Sequence, residues 1–179
     1  MAPASSPFAS PDFAFAFREL MVEALTDELR TTSKVLAAVP DQGQSYRPDP
    51  KSRSTWELAW HIAADVWFIE GIAKKEFQLN PDRLNPNPCK TGAELAEWYA
   101  QRYRQALEQV RSLTAEELTV PLTLGGVAAE AGITFPAFLY LLWVHLHTVH
   151  HRGQLTAYLR PAGAKVPAIY GPSADDPGR

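Results

Sequence analysis

Apolar side chains recur every three or four residues in four separate stretches of the chain, the spacing that places them on one face of an α-helix. The four stretches are residues 12–39, 54–75, 91–113 and 134–160. No stretch shows a convincing strand pattern, in which apolar and polar residues alternate. The pattern therefore predicts an all-α protein, a four-helix bundle.

Residues that favour the start of a helix lie at the beginning of each stretch. They are Asp12, Ser54, Thr91 and Thr134. Glu57 follows Ser54 by three residues, the spacing of a capping box, in which each side chain bonds to an otherwise unpaired backbone amide. Thr91 and Glu94 repeat this spacing. Pro136 suits the first turn of the fourth helix, so all four predicted helices have a recognisable beginning.

Prolines and small polar residues divide the chain into one domain with loose ends. Residues 41–53 and 80–88 are rich in proline and predict two long crossover loops between helices. Residues 1–11 and 174–179 predict flexible terminal segments. Residues 12–173 are then the single folded domain, as expected for a chain of 179 residues.

Composition and charge exclude several classes of protein. Hydrophobic residues make up 46% of the chain, charged residues 21%, and the net charge is -3, as is usual for a globular protein. No cluster of Lys and Arg could neutralise nucleic-acid phosphates, so we expect no nucleic-acid partner. Cys89 is the only cysteine, which rules out an internal disulfide and a cysteine-based zinc site.

The sequence predicts no secretory or membrane-spanning segment. Residues 1–11 lack the basic start and the apolar stretch of a secretory signal. The most apolar run, residues 135–149, is too short to cross a bilayer. We therefore expect a cytoplasmic protein that acts on a small molecule and has no membrane partner.

Histidines are concentrated in the fourth predicted helix. At about 100° per residue, His147 and His151 lie about 40° apart on one face and one turn from each other, so their imidazoles can converge on one ion. Gln154 and Tyr158 continue that stripe. The two other histidines of this helix lie at the edge of the stripe or on nearly the opposite side; they are His150 and His145.

His61 lies in the middle of the second predicted helix, on the face expected to point inward, and can meet His147 and His151 across the bundle. Three neutral imidazoles would hold a divalent metal ion and leave coordination positions open. The alternative is that each is a core histidine bonded to a neighbour, because His-x-x-x-His also arises by chance. Spacing alone leaves both interpretations open.

The chain resembles the DinB-like family of metal-binding four-helix bundles, named after a damage-inducible bacterial protein. Ser54-Thr-Trp-Glu-Leu-Ala-Trp-His61 is similar to the family's first ligand motif, and His147-Thr-Val-His-His151-Arg-Gly-Gln154 to its His-x-x-x-His-Arg-Gly-Gln signature. Residues 166–173 also resemble the family's ending. The resemblance implies that His61, His147 and His151 hold one divalent metal ion, commonly zinc or nickel.

The resemblance also implies a class of chemistry, because some relatives are transferases or isomerases that use bacillithiol, mycothiol or glutathione. A metal with three neutral ligands could activate such a thiol, or a water molecule. We therefore expect a thiol S-transferase, with a metal-dependent hydrolase and a non-catalytic stress-response bundle as alternatives. A ferritin-like di-iron centre would need Glu-x-x-His motifs, which the sequence lacks.

Four further residues receive roles. Asp65, one turn after His61, could accept a hydrogen bond from bound water as a catalytic group or orient a ligand; a solvated carboxylate is the alternative. Gln154 and Tyr158 could contact the thiol cofactor or serve only packing. Arg152 points away from the ligand stripe and is interpreted as a surface charge.

Two apolar faces predict a homodimer. On the fourth helix, the side opposite the ligand stripe carries Leu139, Leu142, Leu146 and Val149. On the second, three tryptophans lie within about 40° of one another and away from His61; they are Trp56, Trp60 and Trp67. A helix that is apolar nearly all round needs further cover, supplied either by the loops and the N-terminal arm or by a second copy of the chain.

Overall fold

The computed structural model describes residues 10–77, 87–126 and 129–178. It is mostly helical. The helices are α1 (Pro11–Ala37), α2 (Thr55–Ala63), α3 (Val66–Lys74), α4 (Gly92–Arg111), α5 (Ala115–Leu118) and α6 (Leu139–Leu159), and a 3-10 turn covers Asp41–Gly43. Two antiparallel strands, β1 (Pro121–Gly126) and β2 (Ala129–Pro136), precede α6. Most of the predicted flexible N-terminal segment and of the predicted second loop lies outside the described residues.

The beginnings of α1 and α2 follow the rules of helix capping. Ser10, rather than the predicted Asp12, caps α1, and its Oγ accepts a hydrogen bond from the Phe13 amide at 3.2 Å. Pro11 then occupies the first turn, where its missing N–H costs nothing. The predicted capping box of Ser54 and Glu57 is confirmed, with reciprocal bonds of 3.2 and 2.8 Å. The capping box therefore anchors the first turn of α2, the helix that carries His61.

Helix α4 is fixed at both ends by side chains. Thr91 accepts a hydrogen bond from the Glu94 amide at 3.2 Å, whereas the Glu94 carboxylate bonds to the amide of Lys90 instead of completing the predicted box. At the other end, the buried Arg18 of α1 donates to three carbonyls; these belong to Val110, Arg111 and Leu113. A cation there satisfies acceptors that the end of a helix leaves open. α1 and α4 pack against each other along much of their length.

The predicted second helix is two helices, which corrects the interpretation of residues 54–75. The break lies at Ala64 and Asp65, where the Asp65 amide bonds to the Ile62 carbonyl at 3.1 Å, three residues earlier. Such a tightened turn inside a helical stretch is typical of sites under functional or packing constraint. No proline or glycine marks the break, so the apolar pattern continues through it without interruption.

The hairpin β1–β2 corrects both the prediction of no strand and the predicted start of the fourth helix. Thr134, the predicted cap, pairs with Thr123 in the sheet, and their hydroxyls lie 2.8 Å apart. Pro136 ends β2, and α6 begins three residues later at Leu139. The Tyr140 hydroxyl reaches two hairpin carbonyls, at 2.6 and 3.0 Å; they belong to Ile133 and Leu122. The hairpin is thus tied to the first turn of α6.

The core is formed by α1, α2, α3 and α4 packing with α6. The predicted tryptophan stripe is covered within the chain, because the ring of Trp60 packs against Trp98 of α4 at 5.1 Å and against Trp67 at 5.6 Å. This stripe therefore gives no reason to expect a second copy of the chain. Among the described residues, no helix is long and apolar enough to cross a membrane.

Candidate metal centre

The structure brings together the three histidines that the sequence pattern singles out. His61 comes from α2, and His147 and His151 lie one turn apart on α6. One ring nitrogen from each lies within 4.8 Å of the others, and the Nε2 atoms of His61 and His151 are 3.2 Å apart. All three side chains are partly buried. Neither His145 nor His150 belongs to this group of converging nitrogens.

Asp65 orients one of the three histidines, His147. Both of its carboxylate oxygens lie within hydrogen-bonding distance of His147 Nδ1, at 2.9 and 3.0 Å. The Thr148 hydroxyl donates to the same carboxylate at 2.7 Å. Because a carboxylate accepts, His147 carries its proton on Nδ1 and keeps a lone pair on Nε2. The turn between α2 and α3 places this carboxylate against α6.

His151 is oriented in a similar way. Its Nδ1 lies 2.7 Å from Gln154 Oε1, so the ring donates from Nδ1 and leaves the Nε2 lone pair for another partner. His61 faces it with Nε2. The ring of Trp143 stacks on His147 at 4.8 Å between centroids and an angle of 18°, which further restricts the turning of that imidazole.

Burial favours the neutral form of His61 and of His151. It is the main cause that lowers the pKa of His61 to about 3, and the charge of Arg53 and the two other imidazoles lower it further. Burial also lowers the pKa of His151. Asp65 is only 1% exposed, and burial raises the pKa of its carboxyl, an effect that His147 and Thr148 oppose. Neutral imidazole is the form that coordinates a metal.

This donor set fits a divalent metal ion. Two nitrogen ligands at about 2.0–2.1 Å from a tetrahedral zinc ion are roughly 3.3 Å apart, close to the 3.2 Å between the Nε2 atoms of His61 and His151. Three imidazoles are ligands suited to zinc and nickel. Bonds from Nδ1 of ligating histidines to a carboxylate or an amide oxygen are the usual outer support of such sites.

A cavity of about 520 Å³ adjoins the histidines on the side of His151. Gln154 and Tyr158, the two residues predicted to contact a cofactor, both line it. The remaining lining residues are Lys51, Ser52, Arg53 and Leu58. The Tyr158 ring packs edge-on against Tyr46 at 5.9 Å, which fixes one wall of the cavity. A small molecule in this space would lie directly beside an imidazole of the cluster.

Arg152 is buried, not a surface charge as predicted from its angle relative to His151. It is 1% exposed, forms an ion pair with Glu28 of α1, and donates to Thr32 at 3.1 Å and to the Tyr170 hydroxyl. Its spacing is the missed signal, because it continues the buried face of α6; that face contains Leu141, Val144, Thr148, Leu155 and Leu159. The three converging histidines include two on α6, His147 and His151, and these lie at the edge of this face.

Comparison with known proteins places this arrangement in a family. A model of the DinB family matches residues 13–178. The Bacillus subtilis (strain 168) proteins YrdA and YjoA, both described as uncharacterized, are each 28% identical to the chain. The matches cover 83% and 74% of this chain and 85% and 82% of those relatives. Both extend over most of the chain, and neither name states a reaction.

Solved structures support the fold. The crystal structure of a DinB-like protein from Bacillus cereus ATCC 10987 superimposes with a TM-score of 0.67 at 25% identity, covering 85% of this chain and 97% of that chain. The crystal structure of Bacillus subtilis YjoA gives a TM-score of 0.64 at 21% identity, covering 82% and 94%. The helical arrangement is therefore shared with these structures.

Proposed function

The chain belongs to the DinB family, and from this premise we propose that it binds one divalent metal ion, zinc or nickel, through His61, His147 and His151 and transfers a small-molecule thiol to an electrophilic carbon. The observation that carries the proposal is the convergence of three imidazoles beside a cavity. Three ligands leave coordination positions open, as in catalytic rather than closed structural sites.

The protein's own groups hold the ligands in place. Asp65 fixes the tautomer and the orientation of His147, so we assign it as a positioning residue. Gln154 does the same for His151. Asp65 is not among the residues that line the cavity, and its Oδ2 already accepts hydrogen bonds from both His147 and Thr148. Its contacts therefore favour the orienting role over direct proton transfer.

The absence of a carboxylate from the described lining of the cavity favours a thiol over water as the nucleophile. Hydrolysis usually needs a protein base beside the water, whereas thiols ionise near neutral pH. When bound, a divalent cation supplies positive charge that lowers the pKa of a coordinating thiol. In the transfer, sulfur forms a bond to carbon, the leaving group departs with the bonding electron pair, and the thiol proton passes to solvent.

We expect metal-loaded protein to accelerate conjugation of bacillithiol or glutathione to a fluorogenic haloalkyl reagent about tenfold or more over the apo form. His61→Ala should reduce the rate to the apo level, because one of three ligands is lost. His145→Ala, a change on α6 outside the cluster, is the matched control and should retain the rate. The initial rate at equal protein concentration is the measurement. Equal rates for the loaded, apo and His61→Ala proteins across several thiols would remove the transferase assignment.

We also propose that two copies of the chain pair through the outer side of α6. Leu142 is 38% exposed and Leu146 is 59% exposed on this side, which the other described helices leave uncovered. Neighbouring exposed leucines on one helix face are typical of a contact surface, and two-fold pairing is the commonest form of association.

Sedimentation at micromolar concentration should give a species of about 40 kDa, twice the 19.8 kDa of one chain. Leu142→Lys with Leu146→Lys should give a single-chain species, because four lysines would meet at the two-fold interface. Gln105→Lys with Gln109→Lys, on the exposed side of α4, is the control for added charge and should leave the mass unchanged. A species near 20 kDa for the unmodified protein would contradict the pairing.

A further inference from the structure

The entrance of the cavity beside His151 is positively charged. Lys51 and Arg53, both exposed, line it together with the uncharged residues Ser52, Gln154 and Tyr158. Neither cation has a carboxylate within 4.0 Å among the described residues. Two unpaired cations at the opening of a cavity favour an anionic occupant.

The negative charges of the same segment are already engaged. Glu57 pairs with Arg47 at 2.8 Å and accepts the Ser54 amide in the capping box. Asp49 accepts the Lys51 amide at 2.8 Å. Neither carboxylate lines the cavity. Arg53 is one of the causes that lower the pKa of the Glu57 carboxyl, but no described carboxylate stands beside Arg53 or Lys51 on the cavity wall.

The cationic entrance is close to the histidine cluster. Arg53 is the largest electrostatic cause, after burial, of the lowered pKa of His61. His151 and the two cations line one continuous cavity. Because the Gln154 oxygen is taken by His151, the NH₂ group of that amide remains as a donor on the same wall. A molecule that reaches the cluster with one end can therefore meet donors and cations with the other.

We propose, on the basis of the function proposed above, that the thiol substrate carries a carboxylate and that Arg53 and Lys51 bind this carboxylate at the entrance while the sulfur faces the histidines. Arg53 can donate two parallel hydrogen bonds to a carboxylate, and Lys51 adds a second charge. The two cations thus select anionic thiols over neutral thiols of the same size. His61, His147 and His151 are not part of this selection.

The test measures thiol binding to nickel-loaded protein by the thiolate-to-nickel charge-transfer absorption, so it does not depend on activity. The probes are 3-mercaptopropionate and mercaptoacetate, each compared at equal thiolate concentration with its methyl ester, which lacks the negative charge. We expect the acids to bind about tenfold more tightly than the esters. Arg53→Gln and Lys51→Gln should each reduce this preference about three- to fivefold, the range of exposed charge pairs, and leave ester binding unchanged. Raising the salt concentration should also reduce it.

Arg111→Gln, which removes an exposed charge at the end of α4, is the matched control and should keep the preference. Equal binding of acid and ester would overturn the carboxylate proposal while leaving metal and thiol binding intact. Arg53→Gln combined with Lys51→Gln removes both cations. If this double variant still binds the acids more tightly than the esters, the proposal is also overturned, because the carboxylate would then contact the metal and not the two cations. If the protein binds nickel but no thiol, or binds no nickel, the proposed function fails and this proposal fails with it.

Discussion

Replacing His147 by alanine is expected to abolish most metal binding. The unmodified protein, made without a His-tag and loaded with zinc or nickel, should retain close to one ion per chain after gel filtration. In His147→Ala only two imidazoles remain, and the affinity should fall by more than about 100-fold, beyond the effect usual for outer supporting groups. Elemental analysis and competition with a chromophoric chelator measure both quantities.

His145→Ala and His150→Ala are the controls for this experiment, because neither residue belongs to the converging group. Both should keep one ion per chain. Asp65→Asn keeps the size of the buried side chain but removes its charge, and it should weaken binding about 10- to 100-fold. If the unmodified protein retains no metal under these conditions, the assignment of the three histidines as ligands is wrong.

The positions of the three candidate ligands were within reach of the sequence because they depend on local geometry. Residues four apart on a helix share a face whatever the tertiary structure, so His147 and His151 had to lie together. His61 follows a capping box, which fixed the start of its helix. How closely His61 approaches the other two histidines depends on helix packing. The apolar faces indicated only which side of each helix faces the core.

The departures from prediction arise where tertiary contacts override local signals. Thr134 and Pro136 have the form of a helix start, yet pairing with β1 and the bonds of Tyr140 place both residues in a strand. No glycine or proline marks the break at Asp65. The Asp65 side chain is buried against His147 only when α2 packs against α6, so the sequence alone does not show this contact. A short hairpin and a single tightened turn produce too few periodic positions to be detected from one sequence.

Arg152 shows a different limit, since charged residues are rarely buried without a partner and the partner was distant in sequence. Glu28 lies 124 residues earlier, and no local pattern connects the two. The apolar face of α6 did include position 152 by spacing. Giving more weight to that face than to the charge would have predicted a buried ion pair, and would have located the true interior side of α6.

The ion pair between Arg152 and Glu28 should therefore have a large effect on stability. Arg152→Met fills a similar volume but leaves the Glu28 carboxylate buried without its cation, which costs roughly 3–5 kcal/mol for pairs of this kind. For a chain of this size, that lowers the melting temperature by about 6–20 °C. The Tyr170 hydroxyl still donates to Glu28 at 2.6 Å, so the lower half of these ranges is expected. Calorimetry of the metal-free protein isolates this effect from metal binding.

A double variant separates the effect of losing the ion pair from the effect of losing packing. Arg152→Met with Glu28→Met removes both charges together, and it should recover most of the lost stability, because buried pairs replaced by apolar residues are often neutral in effect. Arg160→Met removes a pair with Asp175 at 2.9 Å, whose arginine side chain is 55% exposed, and it should cost less than about 1 kcal/mol. If Arg152→Met is no more destabilising than Arg160→Met, the Glu28 carboxylate is not confined to the interior and the pair contributes no more than a surface contact.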